Sequence, residues 1–185
     1  MRVSKEQAAE NRERILRAAA ALMRERGISG VGVDALTEAA GLTHGSVYSQ
    51  FGSKDRLAAE ALRHALASNV ESIGHAQDLT SYVSHYLSAG HRDAPGQGCA
   101  IAALGGEMPR SSEAVRRDFT DGVRSMVGRV SALIRAGSKR RRTEGALATV
   151  ATMVGALMLA RAVDDTELAD KILQASRKSL IASAR

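Results

Sequence analysis

A length of 185 residues suits one or two small domains and is enough to bury a core. Aromatic content is 3% with no tryptophan, so that core must be aliphatic, and a single cysteine excludes an intrachain disulfide. The net charge of +6 suits a polyanionic partner. No signal peptide and no apolar run of bilayer length is visible, so the expectation is a cytoplasmic protein with no membrane partner.

Two prolines and a large share of Ala, Leu, Arg and Glu favour helix throughout, and no period-two alternation argues for a sheet. The predicted fold is all-α with about nine helices. It divides into an N-terminal three-helix, helix-turn-helix domain over residues 1–53 and a C-terminal helical domain over 54–185. Met1 to Lys5 read as a loose basic arm. A helix is predicted from about Glu6 to Arg26, with Ile15, Leu16, Ala19, Leu22 and Met23 as its buried stripe, Glu10, Arg14 and Arg17 facing out, and Gly27 as its end. Ile28 to Gly32 form a short link. Val33 to Ala40 make a short amphipathic helix, since Val33, Leu36 and Ala40 share one face while Asp34 and Glu38 turn to water. Gly41 supplies the positive φ of a tight inter-helix turn, Leu42 covers the junction, and the Thr43 hydroxyl is placed to cap the next helix. That helix, His44 to Phe51, buries Val47 and Phe51. Its other face carries Thr43, His44, Gly45, Ser46, Tyr48, Ser49 and Gln50, which are mostly short, uncharged hydrogen-bonding groups. A helix that enters the DNA major groove needs such residues at its N-terminal end. The local charge is modest: through residue 56, nine basic residues stand against seven acidic ones, leaving +2.

The stretch GLTHGSVYSQFGSKDRL, preceded by a long amphipathic helix, resembles the TetR family of transcriptional regulators. Gly41, Leu42, Thr43, Gly45, Ser46, Val47, Tyr48, Phe51, Lys54 and Asp55 carry the resemblance, within roughly the first third of the chain. It implies a first helix that braces the helix-turn-helix, a phosphate contact at Lys54, and a dimer formed by the last two helices. It also implies a regulatory C-terminal domain with a pocket for an unknown small-molecule effector. The function it implies is a homodimeric repressor that binds double-stranded DNA at a palindromic operator. Two alternatives stand beside it: a local activator of the same fold, and a helical small-molecule-binding protein without DNA binding.

Ser53 is a fitting N-cap for a helix from Lys54 to about Ile73, in which Leu57, Ala61, Leu62, Ala65, Leu66 and Val70 keep a helical period. This helix links the DNA-binding part to the rest. From Asp78 on, Leu79, Tyr82, Val83, Tyr86 and Leu87 form one stripe. Ala89 to Gly98 read as a loop by Gly and Pro content, and Cys99 to Met108 as a short apolar helix closed by Pro109. Ser111 or Ser112 should cap a helix carrying Val115, Phe119, Val123, Met126, Val127, Val130, Leu133 and Ile134. Gly137 and the basic run Lys139 to Arg142 are expected to break it. The last helices are predicted at about Thr143 to Arg161 and Asp165 to Ala182.

An effector pocket, whose existence follows mainly from the resemblance, would be lined by Leu66, Val70, Tyr82, Tyr86, Cys99, Ala102, Ala103, Leu104, Phe119, Val123 and Met126. Packed aliphatic core is the other reading of each. In the penultimate helix, Leu147, Val150, Ala151, Met153, Val154, Leu157, Met158 and Leu159 nearly circle the axis. A helix apolar all round must be covered on most sides. A partner subunit is therefore expected against Val150, Val154, Leu157 and Met158, with Ile172 of the last helix; burial wholly within the protomer is the alternative.

Cys99 follows Gly98 at a helix start, where a thiolate, the reactive form, is favoured. Some TetR-like repressors that sense electrophiles or oxidants carry a reactive cysteine after Gly at a similar place. Beyond that pair the run CAIAALGGEM does not match them, and a small buried hydrophobe is the alternative. His44, His64, His75, His85 and His91 are scattered, with no carboxylate at metal-ligand spacing. No catalytic set, metal or cofactor is expected.

Overall fold

The structure is a computed structural model that describes residues 4–73 and 76–183, with 69–73 described by backbone alone. The described residues form ten α-helices and two short 3-10 turns, with no strand. The all-α expectation is correct.

Helix α1, Lys5–Arg26, starts where the Ser4 hydroxyl accepts from Gln7 N at 3.1 Å, and it buries Ile15, Ala19, Leu22 and Met23. Helices α2, Val33–Ala40, and α3, His44–Phe51, have the predicted bounds. Helix α4, Lys54–Ile73, begins on Ser53, whose hydroxyl accepts from Arg56 N at 3.2 Å. Helix α5, Leu79–Tyr86, begins on Asp78, whose carboxylate accepts from Ser81 N at 2.7 Å.

The segment expected to be a loop is partly helical. Ser88 caps a five-residue helix α6, Ala89–Asp93, and a 3-10 turn follows over Pro95–Gln97. The predicted helix from Cys99 to Met108 is shorter. Helix α7, Ala100–Leu104, gives way to a 3-10 turn, Gly105–Arg110, that contains Pro109. Helix α8 spans Glu113–Leu133, after Ser112. Helix α8 ends before Gly137 and the basic run as expected, but the run itself opens the next helix, which starts ahead of Thr143. Helix α9, Lys139–Ala162, starts with the Ser138 hydroxyl accepting from Arg141 N at 3.4 Å. Four cations there face the positive end of the helix dipole, and the Arg140–Glu144 pair at 2.8 Å offsets part of that cost. Helix α10 spans Thr166–Ser183.

Two apolar cores hold these helices. The first gathers Ile15, Ala19 and Met23 of α1 with Leu36, Val47 and Phe51 of the helix-turn-helix and Leu57 and Leu62 of α4. It continues into the second half of the chain through Leu104, Met108 and Val115. The second core joins α5, α7, α8, α9 and α10 around Val83, Tyr86, Val130, Met153, Leu157 and Leu173. Leu66 and Phe119 touch both cores. Polar ties also cross: Glu107 accepts from Ile28 N at 3.0 Å, and Arg24 Nε donates to Gly96 O at 2.8 Å. Helices α1 and α4 are thus tied to the second half of the chain.

Helix α9 corrects the expectation that no apolar run reaches bilayer length. By length and composition it is apolar enough to cross a membrane, with a mean hydropathy of 1.5 over its best 18-residue window. In the fold it packs instead against α7, α8 and α10.

Candidate nucleic-acid interface and effector cavity

The turn between α2 and α3 has the predicted chemistry. Gly41 takes φ 61° and ψ 41°, a left-handed conformation that disfavours any side chain, and the Arg14 Nη2 atom stands 2.9 Å from where a Cβ would be. Arg14 does not simply face water, as its spacing suggested. Its guanidinium donates to Ala40 O at 2.6 Å and holds the turn against α1. Arg12 was missed altogether. It donates to Gln50 O at 3.1 Å, lies 4.4 Å over the Phe51 ring and pairs with Glu60 of α4. One side chain thus ties the end of the recognition helix to the linking helix.

With Val47 and Phe51 buried, the opposite face of α3 is exposed at Thr43, His44, Gly45, Tyr48 and Ser49, and half-exposed at Ser46 and Gln50. Tyr48 is 52% exposed, a large value for an aromatic residue. It borders the same small crevice as Ser53 and Lys54, so the structure brings Tyr48 and the first turn of α4 together. Two details differ from expectation. The Thr43 hydroxyl does not cap the helix; it meets the Ser46 hydroxyl at 3.1 Å. His44 is not free, since its Nε2 meets Asp34 Oδ1 across the turn.

The second core contains a cavity of about 310 Å³ between α4, α5, α7 and α8. Of the residues expected there, Leu66, Tyr82, Tyr86, Cys99 and Met126 line it. Leu104 is core filling, fully buried beside the helix-turn-helix. Phe119 is packed between the two cores. Ala102 and Ala103 face another cleft, lined also by Arg24, Met158 and Arg161, and Val123 faces an outer groove with Arg124, Arg135 and Leu147. These corrections share one cause: α7 and α8 each present several apolar faces, and spacing does not say which one meets the cavity. Val70 lies outside the described side chains. Sequence reasoning missed the polar wall, Arg63, Asp118, Asp121, Ser125 and Arg129, because charges on a helix read as solvated.

Burial sets the chemistry of the two tyrosines. It pushes Tyr82 up to about 12, with the nearby Arg129 charge opposing, and Tyr86 well above its usual value. Cys99 is 4% exposed, and its backbone N–H donates to His91 Nε2 at 3.0 Å. His91 Nδ1 in turn donates to Tyr86 O at 2.7 Å, which fixes a neutral ring with one donor and one acceptor. Burial and the Arg161 charge lower its pKa to about 4, against the bond to Tyr86. Gly98 has a packing reason. A Cβ there would lie 2.7 Å from Arg161 Nη2 and 2.9 Å from the His91 ring.

Val150 and Leu157 turn into the protomer's own core. They are 5% and 0% exposed, filled by the protomer's own α8 and α10. Val154 and Ile172 are half-buried against the same core. The outward apolar residues are Leu147, Met158 and Leu159 on α9 and Leu168 on α10, of which only Met158 was among the expected interface residues.

A braced helix-turn-helix with a polar recognition face, joined by one long helix to a cavity-bearing bundle, defines a DNA-binding transcriptional regulator. Residues 15–61 match the bacterial regulatory proteins of the tetR family, and residues 75–176 match the tetracyclin repressor-like C-terminal domain. The chain belongs to the TetR family. Solved structures agree on the fold. The reduced form of NemR from E. coli superposes with a TM-score of 0.75 at 20% identity, over 92% of this chain and 95% of that one. A TetR-family regulator from Cytophaga hutchinsonii gives 0.77 at 21% identity, over 99% and 98%. One from Chloroflexus aurantiacus gives 0.77 at 22%, over 96% and 95%. No curated protein matches the sequence.

Proposed function

We propose that the chain is a cytoplasmic, homodimeric, ligand-responsive repressor that binds a palindromic operator through residues 43–51 of each subunit. Residues 1–53 carry the DNA contact, and 54–185 carry effector binding and dimerisation. The observation behind this reading is the face of α3: Thr43, His44, Gly45, Tyr48 and Ser49 are exposed, while Val47 and Phe51 anchor the helix. Lys54, exposed in the first turn of α4, adds a phosphate contact beside Tyr48. The output is occupancy of DNA, not turnover. A gel shift on the DNA upstream of the chain's own gene tests it. A retarded band competed by unlabelled probe supports the reading; no band with a folded protein refutes DNA binding. Repression, as against activation, is read from transcription in a strain lacking the gene, which should rise.

Tyr48→Ala should weaken binding to operator and random DNA alike, because a phosphate contact carries no sequence information. Exposed as it is, its loss should leave helical content and melting near wild type. Tight operator binding by Tyr48→Ala would place the docking elsewhere.

A second reading concerns the signal. The Cys99 thiol stands on the cavity wall at the start of α7, where an electrophile or oxidant could act on it. An adduct would add volume in close-packed surroundings against α4. Operator release by an alkylating agent in wild type but not in Cys99→Ser supports this. Release in both, or in neither, leaves Cys99 a core residue.

A further inference from the structure

We propose that the cavity between α4, α5, α7 and α8 takes a small organic anion, a monocarboxylate on a compact apolar body. This deepens the regulatory reading above and rests on it.

The inference starts from groups that lack partners. Among the described residues, the hydroxyl of Tyr82 and the Nε and Nη1 atoms of Arg129 are buried with no hydrogen-bond partner, and both residues line this cavity, with Tyr86 bonded to Cys99 on the same wall. Both tyrosines are almost wholly buried. Orphaned buried polar groups are costly and uncommon in native structures, so a set of them around one cavity points to what fills it. Arginine can only donate. The Tyr82 phenol, pushed up to about 12 by burial, stays protonated at neutral pH and can donate too. The missing partner is therefore an acceptor.

Charge decides between an anion and a neutral acceptor. Two aspartates line the cavity, but each already faces an arginine: Asp118 stands 3.8 Å from Arg63, and Asp121 accepts from Arg124 at 3.0 Å. Among the described residues no carboxylate pairs with Arg129, and its charge is felt at Tyr82. A cation would be repelled there, and a neutral ligand would leave the half-buried Arg129 guanidinium without a counter-charge. A carboxylate supplies charge and lone pairs together. The remaining wall, Leu66, Ile101 and Met126, suits a hydrocarbon. At about 310 Å³ the cavity sits at the small end for ligand sites, which excludes long-chain acids. Leu66 belongs to α4, so an occupant presses on the helix that begins beside the recognition helix.

The test uses the full-length chain and four probes: benzoate, hexanoate and their neutral primary amides, titrated calorimetrically at about pH 7.5. The carboxylates should bind about 10- to 100-fold more tightly than the amides, the worth of hydrogen bonds to a charged group. Arg129→Met should abolish that preference, and Tyr82→Phe should reduce it with the charge intact. Circular dichroism confirms that each variant is folded, and Tyr82→Phe serves if Arg129→Met is not. Equal binding of acid and amide, undiminished acid binding by Arg129→Met, or no binding of any probe at millimolar concentration overturns the proposal. None of these readouts involves DNA. Operator binding without carboxylate binding would remove the effector class and keep the regulator; the reverse would remove the regulator alone.

Discussion

Leu159→Asp is expected to convert a dimer into a folded monomer and to abolish operator binding at ordinary concentration. Leu159 is 58% exposed and Leu147 52%, and Met158 and Leu168 are exposed too. Large apolar side chains exposed on the last two helices suit an interaction surface. A two-fold axis through α9 and α10 would cover them with a second copy and present two recognition helices to a palindrome. An aspartate at position 159 would then face a desolvated partner. Each half-site would then be bound alone, and an avidity of about 10²- to 10⁴-fold would be lost. Sedimentation should show wild-type dimer and variant monomer at micromolar concentration, with helical content unchanged. A variant that stays dimeric would move the interface off this face. Leu157→Arg is the uninformative choice. Leu157 is fully buried inside the protomer, so a charge there should unfold the subunit rather than separate it from its partner.

The contrast between Leu157 and Leu159 marks where the sequence stops being readable. Helix-turn-helix bounds were legible because local rules fix them: a clean apolar period in α2, Gly41 in the left-handed region, and Val47 and Phe51 four apart on α3. In α9 the apolar residues surround the axis, so the period carries no facing information, and only packing decides that Val150 and Leu157 turn inward. The basic run misled for a related reason. Lysine and arginine at 139–142 are poor company for a helix N-terminus, yet the Ser138 cap and the long apolar helix behind it outweigh them. At the cavity Leu66, Met126, Cys99 and the two tyrosines were legible, while Ile101 and the charged wall were not. A lone Arg129 on α8 looks like surface until α5 is laid against it. Gly98, before a Cys99 that reads either as a sensor or as a small hydrophobe, has a packing reason of its own in the room that His91 and Arg161 require.

His91 should make the protein sensitive to acid. Its ring is neutral by construction, with Nδ1 donating to Tyr86 O and Nε2 accepting from Cys99 N. Protonation would put a hydrogen on Nε2, against the N–H it now accepts, in buried surroundings where Arg161 and His85 add positive charge. Folded, the group titrates at about 4, against 6.5 for the free side chain. The unfolded chain therefore binds the extra proton first, and stability is full above about 6.5 and lost as pH falls toward 4. At about 1.4 kcal/mol per unit, the shift is worth about 3 kcal/mol across that window. His91→Gln is the control, because a glutamine keeps one donor and one acceptor and cannot titrate. Urea unfolding at pH 7, 6, 5 and 4.5 should show wild type losing stability more steeply than His91→Gln. Carboxylates that titrate in the same range contribute to both proteins and cancel in the difference. Parallel curves would mean that His91 is exposed enough to protonate at no cost, and the bond from Cys99 N would then not hold its ring.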